Sequence, residues 1–461
     1  MRGLKRNPWL FGLGVLLAIL VVSGGHVRAD VNSDQSGSIV IFPKVIADGT
    51  RDTIIQITNT SNMPAQAHCF YVNNPSGTCS TTTTTSCRVD TDCPGVEVCN
   101  IPHPNFSGFC SVTSTRSCSA DSDCNAPTCA NCFPAGETCQ APCNEIDFDL
   151  FLTAQQPTMW RVSTGRLVSF TSACKMGQPC ACGGGGTRCP GFDPGTGALN
   201  SFAVKPAPNF LGELKCIQTT DDFQTPLAQN SLKGEAIIET IRSGQISEYN
   251  ALSIQGLVGL NTDDDLKLDN VEYNRCPNSL LLNHYADGAT DVFSGTTVTI
   301  NTELTLVACT ELLEPQLPVP GRVHFSITDE FESSLSADVN FDCTLNARLA
   351  LISSQLTHAG GLLDSQFAKT RITPPSDLIC LTGDRRGIPC TLDTDCPNRI
   401  TTTGGTVLGC RPRSGVLGVA EEFHTAGARP AGTAAVNLHM ENQRPGLGDI
   451  MVVPGGTGTG P

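Results

Sequence analysis

The chain has 461 residues, with 29 basic against 44 acidic side chains, 45 glycines, 30 prolines, 24 cysteines and only 5% aromatic residues. An acidic surplus with no concentrated basic stretch gives no phosphate-binding footprint and excludes a nucleic-acid partner; it suits solubility and tolerance of divalent cations. Few aromatics with abundant Gly, Pro and Thr favour short strands and turns over helices.

Residues 1–29 read as a signal peptide: Arg2, Lys5 and Arg6 precede an apolar run from Trp9 to Val22, and Val27 and Ala29 form a small-residue exit. The run is shorter than the ~20 residues a membrane span requires, and no later segment approaches one. Cleavage removes four basic residues and no acidic one, leaving 25 against 44. All 24 cysteines follow the leader, an even number in an exported chain, so disulfides are the expected state and a secreted or cell-surface location, extracellular or periplasmic, the expected compartment.

Residues 30–78 begin a β framework with "GSIVIFPKV", "DTIIQITN" and "QAHCFYV", the last carrying Cys69. Asn59 in "NTS" and Asn105 in "NFS" fit the glycosylation acceptor pattern. Residues 79–143 form a first insertion with eleven cysteines: Cys79, Cys87, Cys93, Cys99, Cys110, Cys118, Cys124, Cys129, Cys132, Cys139 and Cys143. The framework resumes over 144–173 with "IDFDLFLT", where Ile146, Phe148, Leu150 and Leu152 share one face and Asp147 and Asp149 the other. Such a carboxylate pair could serve glycoside hydrolysis, but a solvated strand face explains it more simply.

A cysteine-rich loop over 174–189 holds Cys174, Cys180, Cys182 and Cys189. Its spacing departs from the paired C-x2-C of zinc sites, so two disulfides are expected, and no helix follows "CANC" to activate a thiol there. The main framework, 190–379, continues with "GELKCIQT", "GEAIIETI", "NALSIQGL", "TVTINTELTLVAC", "GRVHFSIT" and "ADVNFDCTL", and contributes Cys216, Cys276, Cys309 and Cys343. In "RVHFSI", Val323, Phe325 and Ile327 should point inward, and His324 and Ser326 outward. "NTDDDLKLDN" lacks the Gly and terminal Glu of an EF-hand and reads as a solvated turn around Asp263, Asp264, Asp265 and Asp269. "NHYADG" places His284 and Asp287 in the most catalytic-looking cluster outside the insertions, although its Asp-Gly predicts a hairpin. "LISSQLTHAGGLLDSQFAK" is the one place that suggests a short helix, interrupted at Gly360 and Gly361. A second insertion, 380–410, holds Cys380, Cys390, Cys396 and Cys410, and 411–461 supplies closing strands including "AAVNLHME" and "DIMVVP".

The insertions share a repeat. Cys79-x7-Cys87-x5-Cys93-x5-Cys99, Cys110-x7-Cys118-x5-Cys124-x4-Cys129 and Cys380-x9-Cys390-x5-Cys396-x13-Cys410 each carry C-x-x-D-x-D-C at the centre. This frame resembles the cysteine-rich repeats of secreted bacterial proteins of unknown function and, more faintly, small extracellular modules of the dickkopf or whey-acidic type. The opening strands are similar in pattern to immunoglobulin-like sandwiches. Neither resemblance implies an activity or a functional residue.

Asp90, Asp92, Asp121, Asp123, Asp393 and Asp395 are weak calcium candidates, because a Cys occupies the position where a third oxygen ligand would follow. The simpler expectation is that each aspartate accepts hydrogen bonds from backbone N–H groups two residues on and fixes a stapled turn. If the two four-cysteine groups pair internally, eleven insertion and five framework cysteines are both odd, and one bridge must join them; Cys69, Cys79 and Cys143 are its candidates.

The expected fold is all-β: an antiparallel sandwich framework, one large or two packed, with disulfide-rich insertions emerging from its loops. No G-x-S-x-G, H-E-x-x-H or phosphate-binding loop occurs, and no catalytic residue is assigned. The functional expectation is a secreted or cell-surface structural or binding protein whose loops meet an extracellular protein or glycan. An extracellular, carbohydrate-active hydrolase is the alternative, and a calcium-stabilised matrix protein the third reading.

Overall fold

The structure, a computed structural model, describes residues 31, 33–73, 145–167, 206, 210–257, 266–268, 270, 272–293, 295–309, 321–341, 344–358, 366–374, 378–380, 390–399, 409–412, 415–427 and 429–441, plus the backbone of six short strands between 77 and 140. In chain order the first strands are β1 (Ile39–Ala47), β2 (Arg51–Asn59) and β3 (Ala65–Asn73). Two small units follow, β4 (Gly77–Cys79), β5 (Ser86–Cys87) and β6 (Cys99–Asn100), then β7 (Gly108–Cys110), β8 (Ser117–Cys118) and β9 (Cys139–Gln140). The framework resumes with β10 (Glu145–Leu152), β11 (Pro157–Arg161), β12 (Arg166–Leu167), β13 (Phe210–Thr219), β14 (Leu232–Thr240), β15 (Gln245–Asn250) and β16 (Leu252–Ile254). A second group comprises β17 (Ser279–Tyr285), β18 (Ala289–Phe293), β19 (Thr296–Cys309), β20 (Gly321–Asp329), β21 (Ser334–Phe341), β22 (Thr344–Arg348) and β23 (Phe367–Thr373). The chain closes with β24 (Leu378–Cys380), β25 (Cys410–Pro412), β26 (Gly415–Ala426), β27 (Arg429–Asn437) and β28 (His439–Glu441). The expected all-β framework is present, as three antiparallel sheets.

The first sheet runs β10-β3-β13-β1-β2-β11-β12, with β14 and β15 continuing from β2 and β16 pairing β1. It folds over at β1, whose residues are all buried. Ile39 to Ile41 pair with β16, and Ala47 pairs with Asp52 of β2. The change of partner follows a bulge between Phe42 and Val45, where Pro43 has no N–H to give a ladder. Tyr249 satisfies the backbone left over: its hydroxyl accepts from Lys44 N at 3.1 Å and donates to Lys44 O at 2.6 Å. Between the two layers lies one core of Val40, Phe42, Ile55, Ile57, Tyr71, Phe148, Trp160, Leu214, Ile238 and their neighbours. Trp160 is fully buried, stacks edge-on to Phe148 and donates its indole N–H to Tyr71 Oη at 2.9 Å. Cys69 and Cys216, directly opposed on β3 and β13, are bonded within this core.

The second sandwich sets β21-β20-β23-β17-β28 against β18-β19-β26-β27, with β22 also on β19. Val323, Phe325 and Ile327 are fully buried in its core with Leu280, Leu304, Leu306 and Ile372, while His324 and Ser326 are exposed, as the alternation of "RVHFSI" requires. The β19–β26 layer is apolar on both sides. Leu304, Leu306, Val416 and Ala420 face this core, and Val307 and Leu417 join Ile39, Phe70, Val72 and Ile254 of the first sandwich in a third cluster.

"NHYADG" does not make the expected hairpin: β17 lies in one sheet and β18 in the other, so the Asp-Gly turn is a corner between layers. The predicted helix begins earlier than expected, as a single turn α1 (Leu349–Ile352) followed by a 3-10 turn over Ser354–Leu356; Gly360 and Gly361 lie outside the described residues, as does "DIMVVP".

Candidate functional site

The third cysteine unit is the one whose side chains are described. Cys380–Cys396 and Cys390–Cys410 are disulfides, packed together in a small cluster of their own. The sulfurs of Cys380, Cys390 and Cys396 lie within 4.8 Å of one another, a metal-like grouping, but each is spent in a bridge and offers no thiolate. Asp395 Oδ2 accepts from the backbone N–H of Thr391 and of Leu392, both at 2.9 Å, and from the Thr391 hydroxyl. Asp393 Oδ1 accepts from Cys410 N at 2.8 Å. Gly409 permits that approach, since a Cβ there would stand 2.4 Å from the same carboxylate oxygen. The aspartates therefore serve the backbone, but their donors are residues three and four positions back and a residue across the unit, rather than two residues on. Asp90, Asp92, Asp121 and Asp123 lie outside the described residues, as do Cys174, Cys180, Cys182, Cys189, Asp263, Asp264, Asp265 and Asn105.

Backbone register relates the three units. Gly77 opposes Cys87 and Cys79 opposes Cys99 in the first; Gly108 opposes Cys118 and Cys110 opposes Cys139 in the second. In the third, Cys390 N donates to Leu378 O and Cys380 opposes Cys410. In the second unit the residue opposite Cys110 is Cys139, while Cys129, which spacing places fourth, lies outside the described residues. Cys69 is bonded to Cys216, so it is not the link to the insertion.

The acidic face of β10 is partitioned. Asp149 Oδ1 lies 2.9 Å from His68 Nδ1 of the neighbouring strand. Asp147 hydrogen-bonds Glu145, whose carboxyl is pushed up to about 8 by burial and then by the hydrogen bond and charge of Asp147. Glu145 accordingly holds a proton at neutral pH. Two strands over, buried Glu213 takes Lys215 at 2.7 Å, and the Lys215 ammonium lies 5.9 Å from the centre of the Phe70 ring. Burial raises the Glu213 carboxyl. Alternation places Asp147 beside Asp149 on one face of β10, but Asp149 is met by His68 and the side chain that Asp147 hydrogen-bonds is Glu145.

His284 is fully buried with both ring nitrogens engaged at 2.8 Å, Nδ1 by Tyr285 O and Nε2 by Thr370 Oγ1. Burial holds it down to about 4, so it is a neutral core side chain. Asp287, also buried, accepts from Thr302 N and Ala350 N and pairs with Arg348 at 3.4 Å. These partners anchor the corner between sheets and share no member with those of His284. Asn59 is fully buried as well: its amide donates to Met63 O and Thr153 O, and its oxygen accepts from Ser61 N. It closes the β2–β3 turn and offers no accessible acceptor for a glycan.

The most heavily buried charge among the described residues lies outside every sequence motif. Lys44, at the β1 bulge, is 0% exposed, with Nζ 2.6 Å from Glu303 Oε1 and 2.8 Å from Glu421 Oε2, the latter outside hydrogen-bonding geometry. Arg51 Nη1 also reaches Glu303 at 2.8 Å, and the Ser247 hydroxyl donates to Glu421 Oε1 at 2.6 Å. Both cations belong to the first sandwich and both carboxylates, directly opposed on β19 and β26, to the second. Burial alone would raise Glu303, and the charges of Lys44 and Arg51 outweigh it and hold the carboxyl low. A lysine inside nine buried residues of otherwise apolar character was the available signal.

No protein-family model matches this chain, and no curated protein is significantly similar to it. Among the described residues no helix is long and apolar enough to cross a membrane, and the disulfides present are typical of extracellular proteins.

Proposed function

We propose that this is an exported, cell-surface or secreted protein in which a two-sandwich β framework presents disulfide-stiffened loops to an extracellular protein or glycan. One observation carries the reading. The chain leaves the first sheet at the end of β3 and returns at the start of β10 through a single strand pair, Val72 opposite Glu145, so two cysteine units stand where a hairpin turn would suffice. Insertion there costs little loop entropy, and cross-linked loops lose little freedom on binding.

Replacing residues 74–144 by an Asn-Gly turn tests this. The shortened protein is expected to melt within a few degrees of the parent while losing retention on a panel of extracellular polysaccharides and exported proteins. Unchanged retention, or a framework that no longer folds, would count against display by these loops.

A second reading, a carbohydrate-active hydrolase, draws on the protonated Glu145 beside Asp147. An acid and a base acting on a glycosidic bond stand about 5–9.5 Å apart with substrate between them, whereas these two carboxyls bond each other. Support for it is correspondingly thinner, and the calcium-stabilised reading has less still, since Asp393 and Asp395 serve backbone amides.

A further inference from the structure

We propose that the outer face of strands β21, β20, β23 and β17 docks an acidic polysaccharide, Lys369 and Arg371 meeting its carboxylates while Tyr285 and Phe367 meet the C–H side of a sugar ring. The inference rests on the reading of an exported protein that contacts extracellular glycan. It draws nothing from the cysteine-rich loops.

Alternation brings the four side chains together. β23 turns Ala368, Thr370 and Ile372 into the second sandwich, which leaves Phe367, Lys369 and Arg371 on the opposite side. Register sets Lys369 between Thr328 of β20 and Asn283 of β17, and Arg371 between Ser326 and Leu281. Arg371, Ser326 and Asn283 are exposed, and Lys369 is half-buried. The two cations stand two residues apart on an interior strand, about 7 Å at the backbone. One row further, Phe367 opposes Tyr285; their rings meet edge to face with centroids 5.6 Å apart, and Phe367 is 40% exposed.

The charge of this face runs against that of the chain, which has 29 basic and 44 acidic side chains. Among the described side chains, the outward positions of the four strands hold Arg322, Lys369 and Arg371 against one carboxylate, Asp338. Asp338 is itself met by His324 at 3.2 Å and Arg322 at 3.9 Å. Glu330, just past the end of β20, accepts from Gln366 N. The first sandwich instead turns Asp147, Asp149, Glu235 and Glu248 toward solvent. A polyanion is therefore repelled by the one surface and drawn to the other.

The neighbours of the cations select the kind of polyanion. The guanidinium fork of Arg371 matches a carboxylate. Ser326, Thr328 and Asn283 beside it both give and accept hydrogen bonds, as sugar hydroxyls require. The aromatic row supplies apolar area with a polar tip at Tyr285. A nucleic acid calls for a broader basic footprint than three side chains.

Binding of the full chain to polygalacturonate, with neutral dextran and polyglutamate beside it, tests the proposal. The protein is expected to bind polygalacturonate and neither of the others. Lys369→Ser/Arg371→Ser should weaken that binding at least about tenfold, the worth of one charge-assisted contact, with the melting temperature unchanged, and Phe367→Ser should weaken it as well. Equal affinity of the parent for polyglutamate, or unchanged affinity in the double variant, overturns the proposal. The protein shortened over 74–144 separates this surface from the loops, because it should keep its affinity for polygalacturonate while losing the loop partner. Loss of polygalacturonate binding on shortening, with none in the double variant, would overturn this surface and leave the loop reading standing. Should the double variant fail to fold, labelling of Lys369 by an amine reagent in the unaltered protein decides: polygalacturonate is expected to suppress it, and unchanged labelling overturns the proposal.

Discussion

The joint between the sandwiches and the third cysteine unit both crowd carboxylates into little space, and they neutralise them by opposite means. At the joint, Glu303 and Glu421 are met by Lys44 and Arg51 from another sandwich, far away in sequence. In the cysteine unit, Asp393 and Asp395 are met by backbone amides within a few dozen residues, and two disulfides hold the donors in place. A buried ion pair is costly to break because the surviving charge stays desolvated. A carboxylate at the surface that loses an amide returns to water. The joint therefore makes its two halves interdependent, whereas the unit is complete in itself.

The sharpest way to break this contrast is Lys44→Met. It strands two buried carboxylates with Arg51 as their only close cation among the described residues, and it should cost about 3–5 kcal/mol in denaturant unfolding, with much of the loss recovered in Lys44→Met/Glu421→Leu. A loss below ~1 kcal/mol would mean the joint is not energetically coupled. Next in size, Cys390→Ser/Cys410→Ser should cost the unit about 2–4 kcal/mol. Hydrogen exchange should accelerate at Leu392 and Cys410 while the amides of β1 and β13 keep their protection; loss of protection in both regions would erase the distinction. A smaller effect, about 1–2 kcal/mol and equally local, is expected for Asp395→Ala, which removes the acceptor of two amides. Chelator should leave the melting temperature of the parent and of this variant unchanged, whereas a downward shift in the parent alone would restore calcium to the unit.

The comparison is sharpened further by pH dependence. His284 is depressed to about 4 from 6.5, so the folded state binds fewer protons than the unfolded between those values, and its contribution to stability is lost as pH falls through that window. Glu145 is raised to about 8 from 4.5, so stability is instead lost as pH rises from 4.5 to 8. His284→Asn should flatten the acid side of a stability profile and Glu145→Gln the neutral side. A profile that neither variant changes would remove both groups as pH determinants.

Strands with one wet face were legible from alternation, as "RVHFSI" and "IDFDLFL" show. β26 was not. Its sequence, "GVLGVAEEFHTA", is buried on both faces over Val416 to Glu421, so no period of two appears, and its glycines argue against a strand on propensity. Gly418 is there because a Cβ would meet Leu306, Leu438 and the Thr305 carbonyl within 3 Å. The partners of Lys44 were illegible for the same reason, since Glu421 sits in that strand and Glu303 in "TINTELT", where alternation marks it as solvated. The turn chemistry of Asp393 and Asp395 could be anticipated from residue type, but not its direction. "NHYADG" misled because an Asp-Gly turn specifies a reversal of the chain and is silent on whether the flanking strands pair.

The bulge in β1 also sets an order of events. A strand made early in synthesis finds neighbours on β13 and β16, some 170 to 215 residues later, and its lysine meets its second carboxylate only when residue 421 has emerged. Until then Lys44 has no anionic partner from β26, and the apolar run around it has half its cover missing. Contacts so distant along the chain slow folding and expose unpaired strand to neighbouring molecules. A protein built this way should refold poorly when crowded with its own copies, and truncation just before β26 should be more harmful to its first strand than to its last.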